Sequence, residues 1–290
     1  SGIASHAHSR PGARALKRPV DIPAHCADLR AWPPAARYAA ELAASLGASL
    51  TGIYISPPLP LEVPGGMPTL VGAELIAYAH DQVQAAMLAG PRFAAWAGQF
   101  GAKNAQWQVA LGDPADVLRK AGNWNDIIVL ERRNSSIARS IDLIGETLLS
   151  GFACVVVPEA TYAIGRLERI AIAYDGSCAS IRALHAALPL LSKATHGVLL
   201  HGKWSSERPA GVGDFDPHGH LAMHGIATEI ETLDASADEA GDALLEAASR
   251  NRIDLVVAGV AGKSRFGDIR LDPIPRYLLQ YAGVPLYLRG

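Results

Sequence analysis

Cysteine is scarce in this chain: three residues in 290, at positions 26, 154 and 178, with no Cys-x-x-Cys pair. That scarcity excludes a disulfide framework and a thiolate metal knuckle, and it favours a reducing compartment. Neither sign of charge is in excess, since 26 Lys and Arg stand against 28 Asp and Glu. Such a balance leaves no electrostatic footprint for nucleic acid or for an anionic membrane surface. Long apolar runs are missing too. Even the stretch 70–97 is broken by Glu74, Asp81 and Arg92, so nothing reads as a transmembrane helix of about 20 residues. The chain also lacks a Gly-x-Ser-x-Gly elbow, a Gly-x4-Gly-Lys-Ser/Thr loop and a His-Glu-x-x-His pair. The expectation is a cytoplasmic protein that is not an enzyme, with weak ATP hydrolysis as the most catalysis to look for. Residues 1–17 carry His6, His8, Pro11 and several Arg without an apolar segment like a signal peptide's, and read as a flexible tail.

What is present is said twice. Arg169 to Asp175 reads as a buried strand ending in an aspartate, followed by Gly176-Ser177 and an Ala/Leu-rich helical run. The same unit lies upstream at a constant spacing of 147: Asp28 matches Asp175, Ala36 matches Ala183, Ala39 and Ala40 match Ala186 and Ala187, and Ile53 matches Leu200. Further on, Asn125 to Leu130 mirrors Ile253 to Ala258 at a spacing of 128. The shorter spacing puts about nineteen extra residues in the middle of the first copy, beginning in the Pro- and Gly-rich segment 57–69. A chain of this length has room for two cores. The repeat divides it into a tail at 1–17, a first domain at 18–158, a linker at 159–167 and a second domain at 168–290.

Each copy alternates strand and helix. Strands are predicted near 22–28, 49–55, 104–110, 126–131 and 153–157, then near 169–175, 196–204, 227–233, 253–259 and 284–289. Helices are predicted near 178–193, 217–225, 237–251 and 273–282. A longer one spans about 71–99, interrupted at Gly90-Pro91 where proline lacks the N–H that a helix interior needs. Continuous apolar strands separated by helices imply an α/β fold with a parallel sheet covered on both faces.

The order of motifs carries a resemblance. Tyr174-Asp175-Gly176-Ser177, then Leu199-Leu200-His201, then the run from Asp254 to Arg265, and a closing Ala282-Gly283-Val284-Pro285-Leu286, together resemble the universal stress protein family. The likeness covers the second copy and, more faintly, the first, so the chain looks like a tandem universal stress protein. The resemblance implies two five-stranded, Rossmann-like parallel sheets of order 3-2-1-4-5, paired through their last strands in a pseudo-two-fold arrangement within one chain. Some members of the family bind ATP and others do not.

The family's nucleotide pattern is G-x2-G-x9-G-[S/T], in which small residues let backbone N–H groups close around phosphate oxygens. By resemblance Asp175 would hold the ribose hydroxyls, Gly202 would meet adenine through its backbone, and Gly259, Gly262, Lys263 and Ser264 would belong to the phosphate loop. The third element fails, because Asp272-Pro273 stand where glycine and a hydroxyl residue are needed. Aspartate opposes a phosphate, and proline removes an N–H and a hydroxyl. In the first copy Asp28 survives, yet the loop Glu131 to Ser136 has no glycine and Ile144-Gly145 occupy the last position. The aspartates could serve only to cap the following helix, and the glycines only as turn residues.

Other residues suggest other chemistry. Asp214, Asp216, His218, His220 and His224 crowd a loop and a short helix, and His218, His220 and His224 are the candidate metal ligands. Cys178 stands at a predicted helix start, where a thiol pKa can fall, although a small buried residue is the simpler reading. Arg132 and Arg133 could grip an anion or face solvent. The insertion from Pro57 to about Gly101, with Leu59, Leu61, Val63, Met67 and Leu70, could cover the first copy's cleft for a partner or apolar ligand, or close that copy's own core. Three functions follow: a non-enzymatic stress-response protein with small-molecule binding in the clefts, an ATP-binding switch or slow ATPase acting through the second copy, and a redox or metal sensor. The expected partners are a small molecule or an unidentified protein, with further pairing of whole chains left open.

Overall fold

The computed structural model describes residues 20–29, 31–56, 69–160, 165, 167–202, 216–265 and 268–290, with backbone alone at 69–70, 263–265 and 268–270. The first half runs β1 (Asp21–His25), α1 (Pro34–Leu46), β2 (Ser49–Ser56), α2 (Thr69–Met87), α3 (Gly90–Gly98), β3 (Ala105–Leu111), α4 (Pro114–Gly122), β4 (Ile127–Arg132), α5 (Ile137–Leu149) and β5 (Ala153–Pro158). The second half runs β6 (Arg169–Tyr174), α6 (Cys178–Leu191), β7 (His196–Gly202), α7 (Pro217–Met223), β8 (Thr228–Leu233) and α8 (Ala240–Arg250). It continues with β9 (Leu255–Gly259), β10 (Gly262–Arg265), β11 (Asp268–Leu271), α9 (Pro273–Tyr281) and β12 (Leu286–Arg289).

Ten strands join in one sheet of order β3-β2-β1-β4-β5-β12-β9-β6-β7-β8. Within each half the order is 3-2-1-4-5 with all neighbours parallel. The halves meet where β5 and β12 run antiparallel, with Val156 opposite Leu286 and Cys154 opposite Leu288. The two expected sheets are therefore halves of a single one, and the strand order is mirrored about the β5–β12 seam. The central strands are apolar where both faces are covered: β4 begins Ile-Ile-Val-Leu before ending in Glu131-Arg132, and β5 reads Ala-Cys-Val-Val-Val-Pro.

One core layer, under α1, α3, α6 and α7, gathers Ile22, Leu42, Phe93, Val155, Ile172, Leu184, Leu221 and Tyr287. The opposite layer, under α4, α5, α8 and α9, gathers Leu118, Ile144, Cys154, Leu244, Leu278 and Leu288. Each layer runs across the seam, so the halves share their cores. Asp254, part of the repeated motif, accepts hydrogen bonds from the backbone N–H groups of Glu168 and Arg169 at 3.1 and 2.8 Å and so anchors the start of β6.

The interruption expected at Gly90-Pro91 separates α2 from α3. Of the insertion, α2 buries Val83 and Ala86 and exposes Val71, Leu75, Tyr78 and Met87, while α3 sends Phe93 and Ala97 into the core. Its helical part thus closes the half's own core. Leu59, Leu61, Val63 and Met67 lie outside the described residues, as does the Leu70 side chain. The hairpin β10–β11 replaces an expected loop and packs against α5 of the first half. Among the described residues no helix is long and apolar enough to cross a membrane.

Candidate ligand clefts

In the second half β6 and β9 are neighbours whose chains leave the sheet in opposite directions, which opens a crevice at their carboxyl ends. A cleft of about 290 Å³ lies there, lined by Asp175, Ser177, Gly259, Asp238, Asp272 and Pro273 among others. The turn into α6 is built locally. Gly176 takes a left-handed φ of 75°, and the Asp175 carboxylate accepts from Ser177 N–H at 2.9 Å. Ser177, not Asp175, is the N-cap: its Oγ accepts from Ser180 N–H at 3.1 Å. That bond already satisfies an N–H which could otherwise face an anion.

Gly259 is small for a packing reason. A Cβ there would stand 2.3 Å from the Ala179 carbonyl carbon and 2.4 Å from Ser180 N, so the first turn of α6 rests directly on β9. Gly262 opens β10, and Lys263 and Ser264 follow in its backbone, their side chains outside the described residues. Gly202, paired with Leu233 at the end of β7, does not line this cleft. Of the six nucleotide candidates, Asp175 and Gly259 come together.

The far wall is the start of α9. Asp272 occupies the N-cap position without a side-chain capping bond, Pro273 is the first helical residue and Pro275 the third. Only Ile274 among those first three residues has an N–H, and the next, from Arg276, is used by the Asp272 carbonyl at 3.1 Å. Pro273 breaks the spaced pattern and was foreseen; Pro275 lies outside that pattern, was not foreseen, and disables the same helix end again. Asp175, Asp238 and Asp272 give the cleft three carboxylates, and no Lys or Arg is among its described lining residues.

The corresponding end of the first half is built differently. Arg132 does not face solvent. It is 7% exposed, and its Nη1 donates to the Leu279 carbonyl of α9 at 3.0 Å, tying the halves together. Arg133 lies 3.4 Å from the Glu131 carboxylate. Burial raises the Glu131 pKa, while burial first and Arg133 second lower that of His25 to about 4. This end is a network of internal partners rather than an open anion cradle.

No protein-family sequence profile matches the chain, and no curated protein matches it in sequence. Solved structures do match in shape. A universal stress protein from Archaeoglobus fulgidus aligns with a TM-score of 0.59 at 12% identity, over 92% of this chain and 96% of that one. The fold is that of a tandem universal stress protein. A candidate universal stress protein from Pseudomonas aeruginosa aligns at TM-score 0.52 and 12% identity over 93% of this chain and 92% of that one. A protein of unknown function from the same species gives 0.50 and 10% over the same shares.

On this universal stress protein fold the histidine-rich segment forms α7 and its surroundings, with Asp214 outside the described residues. His218, His220 and His224 do not converge. His218 Nδ1 lies 2.8 Å from Thr228 Oγ1, whereas the His220 ring sits 4.6 Å from the ring of His185 and 4.9 Å from that of His224. Among the described residues no group of three or more His, Cys, Asp or Glu could hold a metal ion. His185, on α6, was not foreseen; it is 35 residues from His220 in sequence and the pair has no motif spacing. Cys178 is exposed at the start of α6, contrary to the buried reading, although Ser180 two residues on is buried, while Cys26 and Cys154 are buried. Burial raises the thiol pKa of Cys154 to about 12.

Proposed function

We propose that this chain is a non-enzymatic stress-response protein of the universal stress type, working in the cytoplasm, whose second-half cleft takes an uncharged or cationic small molecule and rejects ATP. One observation carries the reading: three aspartates line that cleft with no basic side chain among its described lining residues. A phosphate brought within about 4 Å of one such carboxylate meets a repulsion on the order of 1–4 kcal/mol. The two prolines at the start of α9 withhold N–H groups that would offset it. The resemblance in motif order and the likeness in fold support the stress-response role.

The competing reading, ATP held by the second half with slow hydrolysis or switching, draws on the meeting of Asp175 and Gly259 in one cleft. Titration calorimetry with Mg-ATP and with adenosine separates the two. Wild-type protein should give no saturable ATP heat up to about 1 mM, and the double change Asp272→Gly with Pro273→Ser should tighten ATP binding at least about tenfold. Micromolar ATP binding by the unmodified chain would overturn the proposal.

A further inference from the structure

A second cavity, of about 650 Å³, lies between α6 and α7 on the sheet face opposite α8 and α9. Tyr174, Ile181, Leu184 and Met223 form its apolar walls, and His185, His220 and Asp216 are its ionisable groups. We propose that this cavity binds an uncharged aromatic compound with one hydrogen-bonding group, its rings between α6 and α7 and its polar group on Nε2 of His220. The site is separate from the carboxylate-lined cleft, and the proposal does not depend on what that cleft takes.

Four observations converge. The volume falls within the range of about 300–1,000 Å³ that holds organic ligands. Nε2 of His220 is buried with no hydrogen-bond partner among the described residues, a condition that buried polar atoms rarely tolerate. Charge argues against an anion: burial, then His185 and His224, lower the His220 pKa, so the ring is neutral, and Asp216 adds a carboxylate at the rim. One Asp216 oxygen already accepts from His218 N–H at 3.0 Å, so that side chain is occupied in holding the start of α7.

The fourth observation comes from the other half. Between α1 and α3, the topologically matching space, Trp32, Phe93 and Trp107 pack with ring centroids 5.0–5.2 Å apart. At Gly52 a Cβ would stand 2.6 Å from both Phe93 and Trp107, so the strand has been cleared to admit those rings. The residue 147 positions on is Leu199, and among the described residues no indole or phenyl ring stands in that half. The fold accommodates stacked rings in this gap, and among the described residues the second half has no Trp or Phe to fill it.

The test uses N-phenyl-1-naphthylamine, a neutral aromatic probe with a single N–H that brightens in apolar surroundings. Titrated into the full chain, it should show saturable 1:1 fluorescence. Ile181→Trp should weaken binding at least about tenfold by filling the cavity, and His220→Phe about three- to tenfold by removing the acceptor while keeping a ring. Met223 is largely exposed, so Met223→Asp keeps the fold and should also weaken the probe several-fold; it decides the matter if Ile181→Trp fails to fold. An unsaturable wild-type signal, or equal affinity in folded Ile181→Trp and Met223→Asp, overturns the proposal. So does stoichiometric binding of Zn²⁺ alone that disappears in His220→Phe, since the imidazoles would then be a metal site.

Discussion

The same gap in the two halves is filled in opposite ways. Between α1 and α3 the first half packs two indoles and a phenyl against a glycine; in the second half Leu199 takes the glycine's place on the strand, and a cavity lies between α6 and α7. Ile230, which lies beside Leu199 as Trp107 lies beside Gly52, is left 57% exposed. A duplicated fold need not duplicate its interior. One copy can complete its layer with its own side chains, while the other leaves that layer unfinished and gains a place for something else.

The largest effect should come from emptying the filled gap. Phe93 is fully buried, so Phe93→Ala should cost about 3–5 kcal/mol, whereas Met223→Ala across the cavity should stay within about 0.5 kcal/mol. Urea denaturation measures both. Equal losses would mean that the two gaps contribute alike and the contrast is false.

A second difference sharpens the comparison through pH. His25 in β1 stands where the second half has Ile172, at the 147 spacing, and its pKa lies near 4 against an ordinary 6.5. The unfolded chain therefore takes up a proton near pH 6.5 that the folded chain refuses until about pH 4. The neutral imidazole's contribution is complete above about 6.5 and is lost as pH falls toward 4, on the order of 3 kcal/mol across that window. His25→Ile, which copies the second half, should remove most of this acid sensitivity. Urea midpoints at pH 7.5 and 4.5 decide it, and an unchanged difference between them in the variant would refute the assignment.

The smallest predicted effect lies at the seam. Arg132→Met should cost about 1–2 kcal/mol, because it strips the Leu279 carbonyl of a buried donor. Amide exchange should rise in α9, in the half that was not mutated. Faster exchange confined to β4 would show that the tie carries nothing across.

Much of this was legible beforehand, for definite reasons. The Asp28–Asp175 spacing located both copies, and unbroken apolar runs such as Ile127–Leu130 marked strands that must be covered twice. The family resemblance implied the seam between the last strands. The defect at Asp272-Pro273 could be read because it breaks a spaced pattern, yet the hairpin before it could not, since Gly262–Arg265 and Asp268–Leu271 are too short to show a period. Arg132 looked like a surface charge because its acceptor is a backbone carbonyl 147 residues away. The cavity between α6 and α7 leaves no motif at all: its walls come from the end of β6 and two helices, and His185 and His220 meet only once those helices are packed.

The antiparallel joint between β5 and β12 has a consequence for how such a chain can diverge. When two identical subunits meet at a symmetric edge, every substitution arrives in both, and any new contact must suit two places at once. Here the edge is closed within one polypeptide, and the neighbour is held at a high effective concentration however dilute the protein becomes. Each half is thus released from having to match itself. Arg132 can reach across the joint while Val260, its counterpart at the 128 spacing, stays apolar and buried, and one gap can be walled shut while its twin stays open.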